Sequence, residues 1–331
     1  MRVVAAPDKF RSTATAAEVA GAIAAGAREA GWTCVELPLA DGGEGTLAAL
    51  GGANRSSIVT GPLGDEVEAP WRLFRGLAVI EMALASGLEL VGGVGGNDAI
   101  AASSYGTGEL IAAAVEGGAK RVIVGVGGSA TTDGGLGALR ALYPLHRLKG
   151  VELLVACDVR TAFADAADVF APQKGASPAQ VALLRHRLER LAQVYLHEHG
   201  VDVLALAGAG AAGGLAGGLA AAGAELVEGF ELVADELGLD DALEGADLVI
   251  TGEGFLDEQS FAGKVVGGVA ERAVVAGVPV LAIAGEVYDG ADAAIDTLSL
   301  VDRYGTERAR ADTVRCIIET TAAALLARTC G

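Results

Sequence analysis

Lysine is nearly missing: the 331 residues contain five, at positions 9, 120, 149, 174 and 264. With 43 acidic side chains against 24 basic ones, the formal charge is −19. The broad basic face that a nucleic acid or an anionic membrane requires is therefore excluded. Cysteine is scarce and scattered (Cys34, Cys157, Cys316, Cys330), with no Cys-x-x-Cys pair. That rules out a zinc knuckle or a disulfide framework and leads to the expectation of a reducing, cytoplasmic setting. No apolar stretch of the secretory type follows the basic start, so no leader peptide is expected. Glycine is abundant, with 49 residues, but has no three-residue period, which excludes a collagen-like rod. The hydrophobic content of 52% excludes global disorder. One uncharged run, Val203–Ala224, is long enough to cross a bilayer. It is made largely of Gly and Ala, which gain little in lipid, so a glycine-rich turn leading into a buried helix is expected instead.

The length fits two domains. Residues 2–6 read as a short buried strand, and Thr15 with Glu18 forms a candidate capping box before an Ala-rich helix. Thr33–Pro38 reads as a second strand, delivering Asp41-Gly-Gly-Glu-Gly-Thr46 at its carboxyl end. Strand, helix, strand implies a parallel sheet. Short strands at 57–60, 67–74 and 77–83 then change the character. A helix near 106–116, strands at 121–126 and 151–158, and an amphipathic helix at 177–197 follow. The strand–helix rhythm returns near residue 240, with strands at 247–251, 278–284 and 297–301. The expected fold is α/β: a three-layer domain from both chain ends (1–55 and 238–331) with a mixed α/β domain (56–237) inserted.

Glycine patterns alone decide little. Gly208-Ala-Gly-Ala-Ala-Gly213 matches the dinucleotide fingerprint, but so glycine-rich a chain yields about one such match by chance. The first βα turn, Pro7–Thr13, lacks the glycines a Rossmann site places there, so no nicotinamide cofactor is expected. The Walker pattern fails because Val265 stands where Ser or Thr belongs after Lys264. His197 and His199, two residues apart, do not share a helical face and suggest no metal. More telling is what accompanies the glycines. Asp8, Asp41, Glu44, Asp133, Asp158, Glu253 and Asp257 all fall in or beside strand-end turns, where α/β sheets bind ligands. Three of the five lysines (Lys9, Lys174, Lys264) join them, beside Arg11. Carboxylates that can hold Mg²⁺ or accept a proton, isolated cations, and exposed backbone N–H groups are the parts of a phosphoryl-transfer site. A phosphate-ester or sugar-acid binder uses the same parts and stays open on composition alone.

The order of the segments says more. Ala6-Pro-Asp-Lys-Phe10, Ala40-Asp-Gly-Gly-Glu-Gly-Thr46, Glu81-Met-Ala-Leu-Ala-Ser-Gly87, Tyr105-Gly-Thr-Gly-Glu-Leu110 and Gly127-Gly-Ser-Ala-Thr-Thr-Asp-Gly-Gly135 come first. Cys157-Asp-Val159, Pro172-Gln-Lys-Gly175, Gly208–Gly214 and Thr251-Gly-Glu-Gly-Phe-Leu-Asp257 follow. Together they resemble the glycerate kinase type-1 family over nearly the whole chain. The resemblance implies Mg-dependent transfer of the ATP γ-phosphoryl group to D-glycerate, typically giving 2-phosphoglycerate. It implies one flavodoxin-like domain and one inserted domain, with the site in the cleft between them. Neither nucleic acid nor membrane is an expected partner, and a homodimer is compatible. The chain departs from the family pattern at Arg11, Thr132, Arg160–Phe163 and Phe255. A kinase for another small hydroxy acid, or a noncatalytic nucleotide- or anion-binding protein, is the alternative.

On this reading Asp41 and Asp158 are the candidate catalytic acids, and Lys174 and Lys264 the candidate phosphate contacts. Asp41, Glu44 and Asp257 are the candidate metal ligands. Asp8, Lys9, Arg11, Ser86, Ser129, Thr131 and Asp133 are expected to touch the substrate. Gly42, Gly43, Gly208, Gly210, Gly213, Gly252, Glu253 and Gly254 are expected around the nucleotide, with Gly252 and Gly254 shaping a strand-end turn.

Overall fold

The computed structural model describes residues 1–10, 12–261, 264–288 and 295–329. The strands, in chain order, are β1 (Arg2–Ala5), β2 (Thr33–Glu36), β3 (Arg55–Thr60), β4 (Glu66–Phe74), β5 (Leu77–Glu81), β6 (Arg121–Gly125), β7 (Glu152–Ala156), β8 (Glu225–Val227), β9 (Leu248–Leu256), β10 (Val280–Val287) and β11 (Asp296–Ser299). The chain divides into two compact units. The first comprises Met1–Asp41, Ala48–Leu50 and Phe230–Gly331; the second comprises Gly42–Leu47 and Gly51–Gly229.

In the first unit the described strands form one parallel sheet in the order β11-β10-β9-β1-β2. Read from the β2 edge this is the flavodoxin-type order. Parallel sheets are covered on both faces, so their strands read as unbroken apolar runs; Val3, Val4 and Ala5 are all fully buried. Successive side chains alternate between faces. Leu281 and Ile283 of β10 thus pack with Ile23 of helix Ala16–Glu29 and Ile317 of helix Thr313–Thr329. Ala282 and Ala284 pack instead with Val266 of helix Val265–Ala276. Two cores on opposite faces make three layers, as expected from the sequence. Thr15 and Glu18 do form the capping box that opens helix Ala16–Glu29.

In the second unit the order is β3-β4-β5-β6-β7-β8. Its first two pairings are antiparallel and the rest parallel. Trp71, Ile80, Val124, Leu110 and Leu215 lie in one core. The amphipathic helix Pro178–His199 buries Leu184, Leu188 and Tyr195 and starts from a Ser177/Gln180 capping box. The uncharged run delivers a buried helix, Ala211–Ala221, of only 11 residues. Among the described residues, no helix is long and apolar enough to cross a membrane.

Candidate active site

In the first unit, β1 connects outward to β2 while β9 connects the opposite way to β10. Such a reversal opens a crevice at the carboxyl ends of two adjacent strands. Here Asp8 and Lys9 follow β1, Asp41 follows β2, and Glu253, Gly254, Phe255 and Asp257 lie along and after β9. With Lys264 they line one recess of about 120 Å³. The backbone is pinned by Asp8 N–H donating to the Gly252 carbonyl (2.9 Å) and by the Thr251 hydroxyl donating to the Ala6 carbonyl (2.9 Å). Lys264 is the N-cap of helix Val265–Ala276.

Four carboxylates crowd this recess, and their charges oppose one another. The Asp8 carboxyl is pushed up to about 7, by burial first and by the Asp41 carboxylate next. Burial also raises Glu253, and its Oε1 is buried with no hydrogen-bond partner among the described residues. Asp257 caps the turn after β9, where Ser260 N–H donates to its Oδ1 at 3.1 Å. Among the described residues, no three His, Cys, Asp or Glu side chains converge as a ready-made metal cage. Mg²⁺ does not need one: it is usually held by one or two carboxylates plus water and phosphate oxygens. Asp8 and Glu253, both raised by burial, and the unsatisfied Glu253 oxygen fit such a cation.

One expectation is corrected. Gly252 and Gly254 do not form a strand-end turn, because β9 continues to Leu256, with Gly252 and Glu253 on one side of Gly254 and Phe255 and Leu256 on the other all paired with β10. A Cβ on Gly252 would stand 2.0 Å from the Ile283 carbonyl oxygen. Glycine there permits close strand approach. Arg11 lies outside the described residues.

The second unit holds the other candidates. The Gly42–Thr46 loop is anchored by Glu81 at the end of β5, whose Oε1 accepts the N–H groups of Gly45 (3.0 Å) and Leu47 (2.7 Å). The sequence reading had given Glu81 no role. Its signal was an acid closing the apolar run Leu77–Ile80. Gly42 is buried, Gly43 is half-buried and accepts the Thr46 hydroxyl at 2.8 Å, and Glu44 is exposed. Asp158, half-buried after β7, accepts the Gly229 N–H at 2.8 Å.

The loop after β6 contains Ser129, Thr131 and Asp133. Lys174 is 3% exposed, and its Nζ donates to Ser129 Oγ (2.7 Å) and to the Thr131 carbonyl (2.6 Å). Burial lowers this lysine to about 7, against the pull of Asp133. Asp133 Oδ2 accepts from Ser104 N–H (2.9 Å), Ser104 Oγ (2.8 Å) and Gly137 N–H (3.1 Å). Its other oxygen accepts Gly135 N–H at 3.1 Å. Both oxygens thus hold loop and helix together. Ser86 is fully buried, and its Oγ accepts the Thr107 hydroxyl at 2.8 Å. The hydroxyls of Thr131 and Thr132 are buried without a partner among the described residues. Gly208, Gly210 and Gly213 are buried against the chain itself. A Cβ on Gly213 would lie 2.0 Å from the Thr131 carbonyl oxygen, and one on Gly210 would lie 2.4 Å from that of Ala162. This glycine run backs the Thr131 loop.

A profile of the glycerate kinase family matches residues 3–143 and 144–329. The glycerate 2-kinase of Escherichia coli K12 is 42% identical over 329 residues, covering 87% of this chain and 86% of the relative. The glycerate kinase of Bacillus subtilis 168 is 39% identical, with 87% and 85% covered. A crystal structure from Salmonella typhimurium LT2, of a protein assigned as glycerate kinase 2, superposes with a TM-score of 0.86 at 38% identity. It covers 100% of this chain and 99% of that one. By a family match across nearly its whole length and by these identities, the chain belongs to the glycerate kinase family.

Proposed function

We propose that this chain transfers the γ-phosphoryl group of ATP to a hydroxyl of D-glycerate, giving 2-phosphoglycerate, with Mg²⁺. The observation that carries the reading is the recess where Asp8, Asp41, Glu253 and Asp257 meet Lys9 and Lys264. Asp41 and Asp257 would hold the metal ion. When bound, Mg²⁺ supplies positive charge to the phosphate oxygens. Lys9 and Lys264 would contact the oxygens of the phosphoryl group as it passes to the glycerate hydroxyl, and the N-terminus of helix Val265–Ala276 favours an anion at Lys264. The acceptor hydroxyl loses its proton to a carboxylate, the step that general-base catalysis requires. Asp158 is the proposed second acid. Lys174 acts on the substrate indirectly in this reading, by fixing Ser129 and Thr131.

Asp41→Asn and Asp158→Asn test the assignment, since each removes a charge and keeps the shape. Turnover should fall by about 100-fold or more, the usual scale for losing a catalytic acid–base group, while KM for D-glycerate changes only a few-fold. Unchanged turnover in both variants would overturn the roles given to these acids.

A further inference from the structure

The recess is far below the size of nucleotide-sized pockets, so a base bound with its phosphates there needs a second surface. One adjoins it. A cavity of about 370 Å³ in the first unit shares Gly254 and Phe255 with the recess. The β9–β10 register pairs Phe255 with Glu286. Gly254 and Gly285 leave the neighbouring wall without side chains, and a Cβ on Gly285 would lie 2.5 Å from the Gly254 carbonyl oxygen. Buried Phe10 and Ala309 add apolar surface. Glu286 and Arg310, 3.5 Å apart, supply an acceptor and donors. At the rim Phe255 is 40% exposed and Tyr288 52% exposed. Their ring centroids are 6.3 Å apart and tilted by 31°. Two large aromatic rings exposed side by side are costly in water and suit a flat partner.

We propose that this cavity takes the adenine base of the nucleotide, with Phe255 as the stacking surface and Glu286 and Arg310 facing the polar edge of the base. The inference rests on the kinase reading for the phosphate end of the same ligand.

The test is calorimetric binding of MgADP and of inorganic tripolyphosphate with Mg²⁺, to the wild-type chain and to Phe255→Ala and Phe255→Trp. Loss of one base–aromatic stack should weaken MgADP by about tenfold. Tripolyphosphate should bind the wild-type chain and Phe255→Ala within twofold of each other, and Phe255→Trp should restore MgADP affinity. Equal MgADP affinity in wild type and Phe255→Ala overturns the proposal. So does an equal loss for both ligands, or no MgADP binding to the wild-type chain. The kinase reading fails separately. MgADP binding that depends on Phe255, without glycerate-dependent ADP release, overturns the reaction and leaves the base pocket standing. Glycerate turnover with an unchanged KM for ATP in Phe255→Ala does the reverse.

Discussion

Replacing Lys174 by Met should change how stability depends on pH as well as its level. Lys174 is 3% exposed, and its ammonium group is held by Ser129 Oγ and the Thr131 carbonyl. Burial lowers its pKa from the ordinary 10.5 to about 7. Below pH 7 the lysine is charged in both folded and unfolded chains, and the folded state bears the full cost of the buried charge. Between pH 7 and 10.5 the unfolded chain binds more protons than the folded one, so stability rises with pH; above 10.5 the cost is gone. The slope approaches about 1.4 kcal/mol per pH unit. Integrated from pH 7 to 9, the wild-type chain gains roughly 2 kcal/mol over Lys174→Met. The two lost hydrogen bonds add an offset nearly independent of pH, and the other titrating groups cancel in the difference. The reporter is Trp71, buried in the same unit, in a Trp32→Phe background that leaves it as the single tryptophan. Urea titrations at half-unit pH steps give the difference. A difference that stays flat between pH 7 and 9 refutes the reasoning, because Lys174 would then keep an ordinary affinity for its proton.

Glu81→Ala removes the acceptor of two backbone N–H groups and should cost about 2–3 kcal/mol. Glu81→Gln, which keeps a neutral acceptor, should lose clearly less in the same denaturation assay. Gly252→Ala forces β9 and β10 apart at the Ile283 carbonyl and should destabilise by about 3 kcal/mol or more, read as a lowered Tm. Gly213→Ala combines a positive φ of 69° with a 2.0 Å clash, so it should lower the Tm of the ligand-free protein too. A purely nucleotide-contacting glycine would leave that Tm unchanged. With Asp8 near 7, Mg²⁺ entering the recess at pH 7 should displace about half a proton. Calorimetry in two buffers of different ionisation heat measures it, and zero proton release contradicts a cation site beside Asp8.

Much of the first unit was legible because its signals are local and agree. Val3–Ala5 is an apolar run, Thr15 and Glu18 have capping-box spacing, and Gly31 follows the helix end with a positive φ. The acids of the recess were legible singly, as carboxylates at strand ends. Their meeting was not, since β1 and β9 lie more than 240 residues apart and only the sheet order makes them neighbours. Gly252-Glu-Gly254 was misread because glycine signals both turn and close approach. The facing backbone of Ile283, a long-range fact, decides between them. Similarly, Lys174 reads in the sequence as a phosphate contact, and only the packing of the Ser129–Thr131 loop reveals that it is buried and held by Ser129 and Thr131. Glu81, read only as part of a segment, was given no role because the groups it holds here are backbone N–H groups of a distant loop.

The most direct measurement is ADP formation by the purified chain with MgATP, comparing D-glycerate, L-glycerate, other small hydroxy acids and no acceptor. Phosphorus NMR of the product would then locate the phosphate. Turnover that requires D-glycerate and yields 2-phosphoglycerate is the expected result. A folded protein that binds MgATP but forms no ADP with D-glycerate would contradict the proposed function.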